Sequence, residues 1–123
     1  MKRILIVDDI EEIRDVIYEI LLAEHYSVFC AKNGKEAIEV YNPSAFDLVI
    51  TDIMMPEMEG VTFVRAIKAK QPNLKIIAMS GAIENDKLLE NAASFGADLI
   101  MTKPFKPAAL IKTVQSLLNG EKK

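Results

Sequence analysis

The sequence predicts one α/β domain built on an all-parallel, five-stranded sheet with helices on both faces. Three observations predict it. Apolar runs of strand length alternate strictly with segments of helical periodicity, five of each. Runs such as ILIV at 4–7 and LVI at 48–50 are apolar on successive residues, as in strands covered on both faces. The chain has 123 residues, half of them apolar and 27% charged, enough for a single domain with a substantial core.

The first strand covers 4–7. It starts at Arg3 or Ile4 and so leaves no room for a signal peptide, which leads to the expectation of a cytoplasmic protein. The first helix, 11–24, repeats Ile13, Ile17, Ile20 and Leu21 at helical spacing, with Arg14, Asp15 and Glu19 off that stripe. His25 is expected to be a plain helix-terminal residue. The second strand, 26–31, carries the one cysteine, Cys30, which excludes an internal disulfide and is expected to be a core thiol. Asn33 suits the N-cap of the second helix, 34–41. Pro43 breaks that helix before the third strand, 46–51, and Pro72 breaks the third helix, 61–70, before the fourth strand, 76–79. A fourth helix at 84–95 leads to the fifth strand at 98–101. Pro107 suits the first turn of the last helix, 107–119. A polar tail, Asn119–Lys123, is expected to fray. No internal repeat, second domain or membrane-length apolar run interrupts residues 1–123. The net charge of −3 argues against nucleic acid as the main partner.

Five such units fit a flavodoxin-like, doubly wound sheet of order 2-1-3-4-5, with five helices in three layers. The winding reverses between strands one and three, and ligands of such sheets bind beyond the carboxyl ends of the strands near that reversal. Strand one ends in Asp8-Asp9, strand three in Asp52 ("VITD"), strand four in Ser80 ("AMSG") and strand five in Lys103 ("MTKP"). Singly, each has an ordinary reading: Asp8 and Asp9 as helix caps, Asp52 and Ser80 as turn residues, Lys103 as solvated surface. The cluster Met54, Met55 and Met58 reads as loop packing rather than a metal box.

Four strand ends converging on one crevice change the weighing. Three carboxylates in a shallow pocket need compensation, and one lysine offsets only part of their charge. A hard divalent cation with oxygen ligands is required, and Mg²⁺ fits best, because it keeps waters and completes its shell with phosphate oxygens. A hydroxyl and an ammonium suit the remaining oxygens of a phosphoryl group. The pocket therefore looks made to receive a phosphoryl group on a carboxylate, with Asp52 as the central candidate.

Across essentially its whole length the sequence resembles the receiver domain of two-component response regulators. The motifs are "VDD" after strand one, "DIMMPEMEG" from Asp52 to Gly60, "MSG" at Ser80 and "KPF" at Lys103. The resemblance implies a signalling phosphoacceptor rather than a conventional enzyme. Asp52 would take phosphate from a phosphohistidine on a sensor histidine kinase or a histidine phosphotransfer protein. Asp9, Asp52 and the Met54 backbone carbonyl would ligate Mg²⁺ directly, and Asp8 through a water. Lys103 and Ser80 would contact the phosphoryl oxygens, and Lys103–Pro104 would be a cis peptide. Ile10, Ile13 and Phe105 would rim the pocket as a docking patch for the kinase, with core packing the alternative, slightly favoured for Ile13. Met54 and Ala82 border the approach of a hydrolytic water in the family, and neither side chain can hydrogen-bond it. Ile100 stands where many receivers place a switching aromatic. It is expected to pack at the sheet edge, leaving the loop and helix after Ser80 to report activation.

Rival classes fit less well. A flavodoxin would place flavin phosphate against Asp8-Asp9, which repel it. A phosphatase of the haloacid-dehalogenase type wants a second Asp where Met54 stands. No glycine-rich loop with Lys and Ser/Thr suggests a P-loop hydrolase. A phosphorelay intermediate and a phosphate-independent interaction module of the same fold remain open, and the downstream protein target is not written in the sequence.

Overall fold

The structure is a computed structural model that describes residues 2–41, 45–52, 60–80, 96–103 and 105–119. Its elements are β1 (Arg3–Val7), α1 (Glu11–Ala23), β2 (Ser27–Ala31), α2 (Gly34–Val40), β3 (Leu48–Asp52), α3 (Gly60–Lys70), β4 (Lys75–Ser80), β5 (Leu99–Thr102) and α4 (Pro107–Leu118). All five strands are parallel, in the order β2-β1-β3-β4-β5. This is the expected flavodoxin-like arrangement. Four helices are described. The expected helix at 84–95, Met54, Met55, Met58, Ala82, Pro43, the Lys103–Pro104 peptide through Pro104, and the tail 120–123 lie outside the described residues.

Alternation along β1 divides the core. Leu5 and Val7 join Val49, Ile76 and the α2–α3 residues Ala37, Phe63, Val64 and Ile67 on one face. Ile4 and Ile6 join Leu48, Ile50, Ile77, Met79 and the α1–α4 residues Ile17, Leu21, Leu110 and Val114 on the other. Both faces of the central strands are therefore dry, which is why their sequences are apolar at consecutive positions. Truncating one of these side chains, as in Ile6→Ala, costs about 2–5 kcal/mol.

Local chemistry sets the element ends. Asn33 caps α2 by accepting from the Glu36 N–H at 2.7 Å, and Glu36 Oε1 accepts from the Lys32 N–H at 2.7 Å. Pro107 occupies the first turn of α4. Two aspartates stand immediately before β3 and β5 and tie them to their neighbours. Asp47 Oδ2 accepts from the Arg3 N–H and Asp98 Oδ2 from the Ile76 N–H, both at 2.8 Å. Lys68 supports Asp98 at 3.6 Å across the short turn at Gly96. Gly96 has φ +123°, and a Cβ there would stand 3.0 Å from Lys68 Cγ, so the turn requires glycine.

At the end of α1 the chain leaves by a Schellman turn. The His25 N–H bonds the Leu22 carbonyl at 3.0 Å and the Tyr26 N–H bonds the Leu21 carbonyl at 3.2 Å. His25 holds the left-handed position, φ 69°, normally given to glycine. The histidine is thus a helix terminus, as expected, but a strained one.

Cys30 departs from expectation: it is exposed, not a core thiol. Its strand is the sheet edge, and with Phe29 it lines an open groove completed by Val40, Ala45 and Phe46. Partial burial pushes the thiol pKa up, Arg14 opposes that, and Asp15 adds to it. Burial prevails, so the site raises the thiol pKa where a reactive cysteine needs it lowered.

Candidate functional site

Topology brings the carboxyl ends of β1, β3, β4 and β5 to one crevice. β1 and β3 are neighbours there, and their helices leave on opposite faces. Asp8, just beyond β1, is fully buried, and Asp52, the last residue of β3, is 5% exposed. Asp9 is exposed. One carboxylate oxygen from each of Asp8, Asp9 and Asp52 lies within 4.8 Å of the others. Lys103, one residue past β5, reaches between two of them, with Nζ 2.9 Å from Asp8 Oδ2 and 3.0 Å from Asp52 Oδ2.

Burial by itself lowers the pKa of the Lys103 ammonium. Hydrogen bonds to Asp8 and Asp52, with the charges of both, outweigh that and leave it raised. Ser80 ends β4, fully buried, and its carbonyl accepts the Lys103 N–H at 2.8 Å. The residues expected at four strand ends therefore do meet.

Three carboxylates and one ammonium carry a formal charge of −2. All donors are hard oxygens. The set fits a divalent cation of the Mg²⁺ kind and is unsuited to soft metals.

Asp8 also organises the turn into α1. Ile10, not either aspartate, is the N-cap residue, and it has no side-chain cap. Asp8 Oδ1 instead accepts the Ile10 N–H at 2.9 Å. Its carbonyl accepts from Arg14 Nη1 at 2.7 Å. Arg14 was legible only as a polar residue off the apolar stripe. Its signal in the sequence was being the one basic residue of α1 among Glu11, Glu12, Asp15 and Glu19.

The three residues of the expected docking patch separate. Ile10 is 43% exposed. Ile13 and Phe105 are half-buried and pack against the α1–α4 core. Ile100 is half-buried on the edge strand β5, in register with Ala78. No helix among the described residues is long and apolar enough to cross a membrane.

Comparison with known proteins agrees with this geometry. Residues 4–115 match the model of the response regulator receiver domain. The chain is 40% identical over 121 residues to the regulatory protein VanR of Enterococcus faecium, covering 98% of this chain and 52% of VanR. It thus spans about half the length of that regulator. It is 36% identical over 118 residues to the chemotaxis protein CheY of Bacillus subtilis, covering 95% of this chain and 98% of CheY. Among solved structures, the response regulator protein TrrA from Thermotoga maritima, in complex with Mg²⁺ and BeF, aligns with a TM-score of 0.85 at 36% identity. That alignment covers 96% of this chain and 100% of TrrA.

Proposed function

The chain belongs to the response regulator receiver domain family, and from that membership we propose that it accepts a phosphoryl group on Asp52 from a phosphohistidine. The donor is a sensor histidine kinase or a histidine phosphotransfer protein, and the acquired charge switches a surface that binds a downstream protein. The observation that carries this reading is the Lys103 ammonium held between Asp8 and Asp52, with Asp9 alongside. We assign residues 1–123 to one such domain, acting in the cytoplasm without nucleic acid or membrane of its own.

An Asp52 oxygen attacks the donor phosphorus in line with its P–N bond. The P–O bond forms and the P–N bond breaks. The electron pair leaves with the imidazole nitrogen, and the ring, protonated at its other nitrogen, departs neutral. The product is an aspartyl phosphate. Lys103 turns from the Asp52 carboxylate toward the new phosphoryl oxygens, and the Ser80 hydroxyl donates to another. Asp8, Asp9, Asp52 and the Met54 carbonyl would hold Mg²⁺, which when bound neutralises the phosphoryl oxygens. The TrrA complex supports the pairing of Mg²⁺ with a phosphoryl mimic in this fold. With Ile100 at the usual aromatic position, we assign the reading of the phosphorylated state to the segment after Ser80.

Intact-mass measurement after treatment with Mg²⁺ and acetyl phosphate tests the proposal. Wild type should gain one hydroxylamine-labile phosphoryl group only when Mg²⁺ is present, and Asp52→Asn should gain none. Equal labelling of the variant would move the acceptor elsewhere. No labelling of wild type would favour the phosphate-independent module.

A further inference from the structure

We infer that Arg14 is a positioning residue for the cation site, fixing the Asp8–Asp9 peptide and so the stance of the Asp9 carboxylate. The inference rests on the phosphoacceptor reading above. Among the described residues, Asp8 is held at four points. Its N–H bonds the Ala31 carbonyl at 3.2 Å, Oδ1 accepts from the Ile10 N–H at 2.9 Å, Oδ2 accepts from Lys103 at 2.9 Å, and its carbonyl accepts from Arg14 Nη1 at 2.7 Å. The Ala31 bond fixes the peptide entering Asp8, Lys103 fixes its side chain, and the Ile10 bond closes the turn across the Asp8–Asp9 peptide from the far side of Asp9. Among the described residues, only Arg14 bonds an atom of the peptide leaving Asp8 itself, whose plane determines where Asp9 begins.

Asp9 needs that support. It is the exposed member of the trio, and no hydrogen bond holds its carboxylate among the described residues. Two neighbouring carboxylates repel it, so an unrestrained loop would let it swing toward solvent. Arg14 is well suited to resist this. It is half-buried on the first turns of α1, a rigid element packed on the sheet through Ile17 and Leu21. Glu11, one turn earlier, offers a surface partner, but the guanidinium donates to the loop carbonyl in a short, charge-assisted bond.

The sign of the effect separates positioning from charge. Arg14 is a cation near three acids, so its removal should strengthen Mg²⁺ binding if only electrostatics mattered. Loss of positioning predicts the opposite. In calorimetric titration of the full chain with MgCl₂, Arg14→Ala should weaken binding by about 10-fold, the lower end of what outer supports of metal ligands contribute. Arg14→Lys keeps one donor and should recover part of that loss. Ile17→Val loosens α1 without touching Asp8. It should lower the melting temperature in EDTA and leave the Mg²⁺ affinity unchanged.

Equal or tighter Mg²⁺ binding by Arg14→Ala, with wild type binding Mg²⁺ and Asp9→Asn failing to, would overturn the role of Arg14 and leave the phosphoacceptor reading intact. Weakening by Ile17→Val equal to that by Arg14→Ala would also overturn it, because general loosening of the helix would then suffice. Absence of Mg²⁺ binding by wild type would remove both the inference and the reading under it.

Discussion

Lys103 Nζ stands 3.0 Å from Asp52 Oδ2, across 51 residues of sequence and from one strand end to another. The same ammonium holds Asp8. In the absence of a cation, one side chain thus restrains two buried carboxylates that would otherwise repel, and the same side chain is the one proposed to meet the phosphoryl group. Stability and function are coupled at this nitrogen, and its titration makes the coupling measurable.

The Lys103 pKa is raised from an ordinary value of 10.5. A cation whose pKa is raised by folding contributes stability that is complete below the unfolded pKa and is lost as pH climbs through the folded one. Lys103→Met should therefore cost on the order of 3 kcal/mol near neutral pH, where it leaves buried charge uncompensated. Denaturant titrations of both proteins should give a constant difference up to about pH 10, in line with the ordinary lysine value, and a shrinking one above it. A difference that grows with alkaline pH contradicts the assignment.

Asp9 and Mg²⁺ should trade stability against repulsion. With Mg²⁺ at about 100 times its dissociation constant, wild type should gain about 2.7 kcal/mol, which is roughly 10 °C for a domain of this size. Asp9→Asn should lose most of that gain, yet be no less stable than wild type in EDTA, because it removes one of three crowded charges. Thermal melts with and without Mg²⁺ check both halves.

Ile10 should act in donor recognition. It is exposed beside the acids, so Ile10→Ala should change stability by less than about 0.5 kcal/mol. It should slow transfer from a phosphorylated sensor kinase while sparing labelling by acetyl phosphate. Phe105→Ala removes a ring packed on the core and should cost about 2 kcal/mol or more, even with no donor present. Equal slowing of both donors by Ile10→Ala would argue against a docking role.

His25 offers a gain. Replacing it by glycine relieves the left-handed strain and keeps both hydrogen bonds of the Schellman turn, at some cost in unfolded-chain entropy. The balance predicts that His25→Gly stabilises the fold by about 0.5–1 kcal/mol, whereas His25→Val destabilises it because a β-branched residue tolerates this conformation poorly. Urea unfolding of the three proteins decides it.

By itself, the sequence determined the alternation of strands and helices, the order of the sheet and the residue types at its carboxyl end. Those features are written in short-range pattern: continuous apolar runs mark doubly covered strands, and connection rules for parallel sheets then leave few arrangements. Asp8, Asp52, Ser80 and Lys103 were legible because each stands at a strand end. Tertiary structure alone decided how the parts are finished. Cys30 read as core because period and polarity say which face a residue takes, not how far the helices cover an edge strand. The bond of Arg14 to the Asp8 carbonyl depends on how closely α1 returns over the loop before it. His25 took a glycine's conformation because Leu21 and Tyr26 are both drawn into the same core. In each case the outcome depends on distances between elements, which packing sets and which no run of neighbouring residues encodes.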